Sequence, residues 1–182
     1  MDNTANPAPL GLCAFGMTTI LLSIHNAGFI ALSSGIIAMA IFYGGFAQVI
    51  AGAMEWKKNN TFGFVTFGSF GFFWISLAFL VMLPVAGLSK AVGPADMAAF
   101  LGVWALFTLG LLVCTIKMHR SLMVTIFMLL VTFILLITAE MTASTTIRVI
   151  GGVAGIITGL LALYIGIGQL VNEVHGRRVL PV

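Results

Sequence analysis

Six apolar runs, each long enough to cross a bilayer as a helix, constrain this chain more than any other feature. Crossing takes about 20 mainly apolar residues. The runs extend from Pro9 to Ile30, Ile36 to Trp56, Gly63 to Leu83, Met97 to Ile116, Ser121 to Met141 and Arg148 to Val171. Pro84 is the expected stop of the third, and Gly-Pro-Ala-Asp precedes the fourth. The first two are joined only by a short link around Ser33-Ser34-Gly35, which demands an antiparallel helical hairpin. A transmembrane barrel is excluded, because the runs are too long for strands and lack period-2 alternation. The expected fold class is all-α, a single six-helix transmembrane domain over residues 1–182.

Charge agrees with burial in lipid. Only 7% of residues are charged, against about 25% in a soluble domain. That excludes a soluble enzyme, a disordered chain and a coiled coil. The net charge of +3 does not point to nucleic acid, because the bases sit between the apolar runs. Lys57, Lys58, Lys117, Arg120, Arg177 and Arg178 fall on the side of the termini, and only Lys90 and Arg148 fall on the other. The positive-inside rule then places both termini in the cytoplasm. The N-terminal stretch has no basic n-region, so the first run is expected to stay in the mature protein. Cys13 and Cys114 lie inside apolar runs without ligand spacing and read as buried thiols.

The second run contains Tyr43-x-Gly45-x-x-Gln48 and the sixth Tyr164-x-Gly166-x-x-Gln169, each followed by a basic pair. This spacing hints at three two-helix hairpin repeats around an axis along the membrane normal. The fourth run offers only Phe107 at the matching place. Small residues at helix-packing spacing (Gly151, Gly155 and Gly159; Ala40, Gly44 and Gly52) point to close helix approach.

Polar groups inside the runs carry the functional information, because each is costly in lipid unless it faces inward. Phe15, Thr18, Thr19, Leu22, His25 and Asn26 share one helical face. Thr125, Leu129, Thr132, Leu136 and Glu140 form a similar stripe, and Thr66, Ser69, Phe70 and Phe73 a third. A lone Thr commonly bonds its own helix backbone; three stripes on alternate helices favour a shared polar path. Asn6 is placed to cap the first helix with Pro7 at its first position, leaving N–H groups that favour a carboxylate or phosphate. Glu140 is the one acid well inside a run. With His25, and with Arg148 nearby, it would meet in an outer vestibule suited to proton relay. Asp96 reads as a first-turn helix charge, Glu55 and Glu173 as ion-pair partners of adjacent basic pairs, and Asp2 belongs to the tail. No nucleophile, phosphate-loop or metal-ligand motif is present, so no enzyme, metal or cofactor is expected.

Asn6 to Leu12, NPAPLGL, resembles the signature of the acetate uptake transporter family, which includes the bacterial succinate–acetate permeases. GMTTILL, HNAG, FYGGFAQVIAGAMEWKKNNTFG and NEVHGRRVLP are similar to the same family, so the resemblance spans the chain. It implies six helices around a central pathway, a ring-shaped homo-hexamer, and proton-dependent transport of acetate and other short carboxylates across the inner membrane. It implies a constriction of a Phe, a Tyr and a Leu, matched here by Phe15, Phe70 and Leu129. Phe70 departs from the family by lacking a hydroxyl. Glu140 departs by placing an acid where a neutral polar residue is expected. Asn6, Leu12, Thr18, Thr19, Asn26 and Thr132 are the expected substrate contacts, and His25 and Glu140 the expected proton-linked groups. The alternative is a passive channel for small neutral solutes such as urea or short amides.

Overall fold

A computed structural model describes residues 4–182 of the protein. Met1 to Asn3, with the tail acid Asp2, lie outside the described residues. Among the described residues six helices are long and apolar enough to cross a membrane: α1 Ala8–Asn26, α2 Ser34–Lys57, α3 Thr61–Val85, α4 Pro94–Thr115, α5 Arg120–Thr142 and α6 Thr145–Val174. No strand occurs among the described residues.

Local chemistry sets the ends. Pro7 already has helical backbone angles. The Asn6 side-chain oxygen accepts from the Ala8 N–H at 3.1 Å, giving α1 its cap. Asn60 caps α3 by accepting from the Gly63 N–H, and Ser144 caps α6 by accepting from the Ile147 N–H. Two expectations change. Pro84 does not stop the third helix, which runs on to Val85; its missing N–H leaves one carbonyl of the preceding turn without its helical donor, and the helix ends one residue later. α1 ends at Asn26, before Ile30, because Gly28 turns the chain with φ +82. Within α2, Ala40–Ala47 is wound as a π-helix, a geometry common near functional sites.

The helices follow one another around a ring, and α6 closes it against α1. Glycine makes that seam tight. A Cβ built on Gly159 would stand 2.6 Å from the Gly16 carbonyl oxygen, so nothing larger fits without separating the two helices. The opposite seam, between α3 and α4, is made by large rings: Phe73 lies 5.2 Å from Trp104 and 5.7 Å from Phe100, centroid to centroid. Cys13 is buried, but Cys114 is exposed on the outer side of α4, contrary to expectation.

Candidate functional site

Two cavities lie on the ring axis. The first, of about 430 Å³, is on the side of the chain termini; the second, of about 200 Å³, is on the far side. Phe15 and Leu129 line both. Phe70 lines the first, and its ring centroid stands 5.5 Å from that of Phe15. All three side chains are buried, at 7%, 4% and 2% exposure for Phe15, Leu129 and Phe70. Phe70 is surrounded by rings, with Phe73, Trp104 and Phe107 all within 6.2 Å centroid to centroid. The three side chains that part the cavities are therefore apolar.

The stripes run along this axis. On α1, Leu12 and Asn6 line the termini-side cavity, and Thr19, Leu22, His25 and Asn26 the far one. On α5, Thr125 lies on the termini side of Leu129, and Thr132, Leu136 and Glu140 lie beyond it. The hydroxyls mostly serve their own helix. Thr19 donates to the Phe15 carbonyl at 2.7 Å and Thr125 to the Ser121 carbonyl at 2.9 Å. Thr132 bonds the Met128 carbonyl and meets the Thr158 hydroxyl of α6 at 3.2 Å. Thr18 stands apart. It lines neither cavity and is turned toward α2, where a Cβ on Gly44 would lie 2.7 Å from its methyl carbon. Position 18 follows position 15 by three residues and position 19 by four, and the helix twists those two to different sides of the axis. Ser69 likewise lines neither cavity.

His25 and Glu140 both border the far-side cavity, but each has taken another partner. Glu140 accepts from the Arg148 guanidinium at 2.9 Å. His25 Nδ1 lies 3.0 Å from the Ile30 carbonyl oxygen. A carbonyl only accepts, so Nδ1 carries the hydrogen in that bond.

The even-numbered helices contribute more than the stripes foretold. Gln48 and Glu55 of α2, and Ile165, Gln169 and Asn172 of α6, line the termini-side cavity. The repeated Tyr-x-Gly-x-x-Gln spacing had marked both glutamines without assigning them a place. Glu55 is not a surface ion-pair partner: it is 2% exposed and accepts from the Asn60 side-chain amide at 2.8 Å. Asn172 pins the C-terminal tail. It accepts from the Val179 and Leu180 N–H groups, and so sets Val182 at the mouth of the same cavity. Among the described residues no cluster of His, Cys, Asp or Glu could hold a metal.

Comparisons with known proteins bear on the whole chain. A solved structure, that of the bacterial acetate channel SatP, superimposes with a TM-score of 0.97 at 45% identity and covers 99% of both chains. The succinate-acetate/proton symporter SatP of Escherichia coli K12 is 46% identical over 184 residues, covering all of this chain and 98% of that protein. Ammonia transport outward protein 2 of Saccharomyces cerevisiae is 41% identical over 88% of this chain and 59% of its own length. The proteins so named are transporters or channels, as befits six membrane-crossing helices. A family model described as GPR1/FUN34/yaaH matches residues 1–181, and this chain belongs to that family.

Proposed function

We propose that the protein carries acetate and related short carboxylates across the inner membrane in a proton-dependent manner, with both termini in the cytoplasm. One observation carries this reading: two cavities on one axis separated by a dry neck at Phe15, Phe70 and Leu129. Likeness to proteins named for succinate, acetate and protons supplies the substrate class.

The mechanism follows from desolvation. A bare carboxylate passing Phe15, Phe70 and Leu129 loses its water and gains no donor from those side chains, a heavy penalty. Acetic acid, or acetate travelling with a proton, pays far less. Asn6 and the α1 N-terminus receive the carboxylate on the cytoplasmic side. Thr19, His25, Asn26 and Thr132 bound the outer cavity. Arg148 offsets the charge of Glu140, so the outer acid need not repel an anion. A neck that selects by dewetting needs no large domain movement. Thr18 has no role in this pathway, and assembly as a hexamer completes the reading.

The test is labelled acetate flux in proteoliposomes, against protein-free liposomes because acetic acid crosses lipid unaided. An alkaline interior should accelerate uptake, with competition by succinate and propionate and none by urea. Gradient-independent flux would remove the proton dependence, and pH-independent urea flux would establish the passive channel instead.

A further inference from the structure

We propose that Glu55 is the group that takes up and releases the proton accompanying the carboxylate, at the termini-side end of the pathway. This rests on the reading of the chain as a proton-dependent transporter.

Glu55 is deeply buried despite lying two residues before Lys57-Lys58. One carboxyl oxygen, Oε2, accepts from Asn60. The other, Oε1, is buried and has no hydrogen-bond partner, while the side chain lines the termini-side cavity. A buried acceptor without a donor is costly. A proton on that oxygen, or a ligand that donates to it, removes the cost. Glu140, the other acid inside a span, is already held by Arg148.

Three more unpartnered buried oxygens line the same cavity: Gln48 Oε1, Thr66 Oγ and Gln169 Oε1. Their order along the axis follows from the α2–α3 packing. A Cβ on Gly71 would meet the Val49 nitrogen, one on Gly52 the Gly68 nitrogen, and one on Gly63 the Glu55 carboxyl carbon. The helices are thus antiparallel, with Gln48 level with Phe70 at the neck, Thr66 below it and Glu55 below that. Gln48 and Glu55 are seven residues apart on one face, about 10 Å along the helix. The polar groups form a ladder from the neck to Glu55.

To Glu55 Oε1 and the two glutamine carbonyl oxygens an anionic carboxylate brings only acceptors, whereas a carboxylic acid brings an O–H; the Thr66 hydroxyl can donate to either. The acid leaving the neck gives its proton to ionised Glu55: its O–H bond breaks, an O–H bond forms on Oε1, and the carboxylate departs as an anion. Water at the cytoplasmic mouth then takes the proton from Glu55 and restores the carboxylate. Transport in the other direction reverses both steps. The charged or titratable groups around Glu55 are Lys58 on its own helix end, which donates to the Thr4 carbonyl, His119 at the start of α5 and Glu173 of α6. α1 presents Asn6, and α3 presents Gly63 after its capping Asn60.

The experiment compares two fluxes in proteoliposomes: acetate uptake driven by an alkaline interior, and acetate exchange at equal pH. Glu55→Gln keeps an oxygen for Asn60 and cannot take the proton. Exchange also hands the proton to and from residue 55, so the substitution should lower both fluxes by about 100-fold, the low end for positioned proton transfer, and flatten the pH profile. Glu55→Asp should restore both fluxes in part. Wild-type fluxes in Glu55→Gln overturn the proposal. So does a wild-type pH profile in the flux that variant retains. Should Glu55→Gln not fold, Thr66→Val interrupts the ladder at nearly constant shape and should lower both fluxes; unchanged fluxes overturn the proposal. Absence of any gradient response in the wild type would instead overturn the transport reading itself.

Discussion

At the neck, Phe15 and Leu129 hold the two cavities apart with nothing but hydrocarbon. Replacing either by Ala should widen the neck and speed uptake or broaden its substrate range. Labelled acetate, propionate and succinate uptake in both variants checks this, and unchanged rates in both would remove them from the neck. Phe70 has a second duty, since it also stacks on Trp104 at 5.9 Å. Phe70→Ala should therefore cost stability as well, about 3 kcal/mol for an emptied aromatic site, read as a lower melting temperature in detergent. Glu140 borders the far-side cavity. Its partner Arg148 is 41% exposed, so Glu140→Gln should change stability by less than about 1 kcal/mol. It leaves an unneutralised guanidinium beside the cavity, and the KM for acetate should fall while the melting temperature holds. The sequence singled out Glu140 as the one acid well inside a run, and it pointed to Phe15 and Leu129 by resemblance. It did not single out Glu55, whose neighbouring lysines disguise a buried carboxylate as a surface one.

Among the elements, α1 and α6 depend on each other through glycine. Gly159→Leu drives a side chain into the Gly16 carbonyl. It should separate the two helices at a cost of more than about 2 kcal/mol, seen as loss of folded protein on size-exclusion chromatography. All six helices were legible from hydropathy, and their bounds moved by only a few residues at either end. The larger shifts have local causes. Gly28 ended α1 early, and Pro84 was absorbed into the last turn of α3. The stripes on α1 and α5 also survived, because 3.6-residue periodicity alone decides which side chains share a face. Thr18 shows the limit of that logic. A face wide enough to hold positions 15, 18 and 19 borders both the axis and the neighbouring helix, and periodicity does not tell those apart.

For the whole molecule, the distribution of bases makes an orientation test direct. A cysteine introduced at Lys90 should react with an impermeant maleimide added outside intact cells, and one at Arg177 only after the membrane is opened. Exposed native Cys114 is replaced by Ser first. The opposite pattern would invert the topology. What the sequence determined by itself was the solvent: apolar runs of bilayer length admit only helices there, because each backbone polar group must be satisfied within its own segment. It also determined which side chains share a face along α1 and α5. Only the tertiary structure decided that those faces converge on two cavities, that α2 and α6 add Gln48, Glu55 and Gln169 to one of them, and that Glu140 is paired while Glu55 keeps an oxygen without a partner. Helix periodicity is a property of one segment. Which face meets an axis, and which acid finds a donor, depends on groups far apart in the chain.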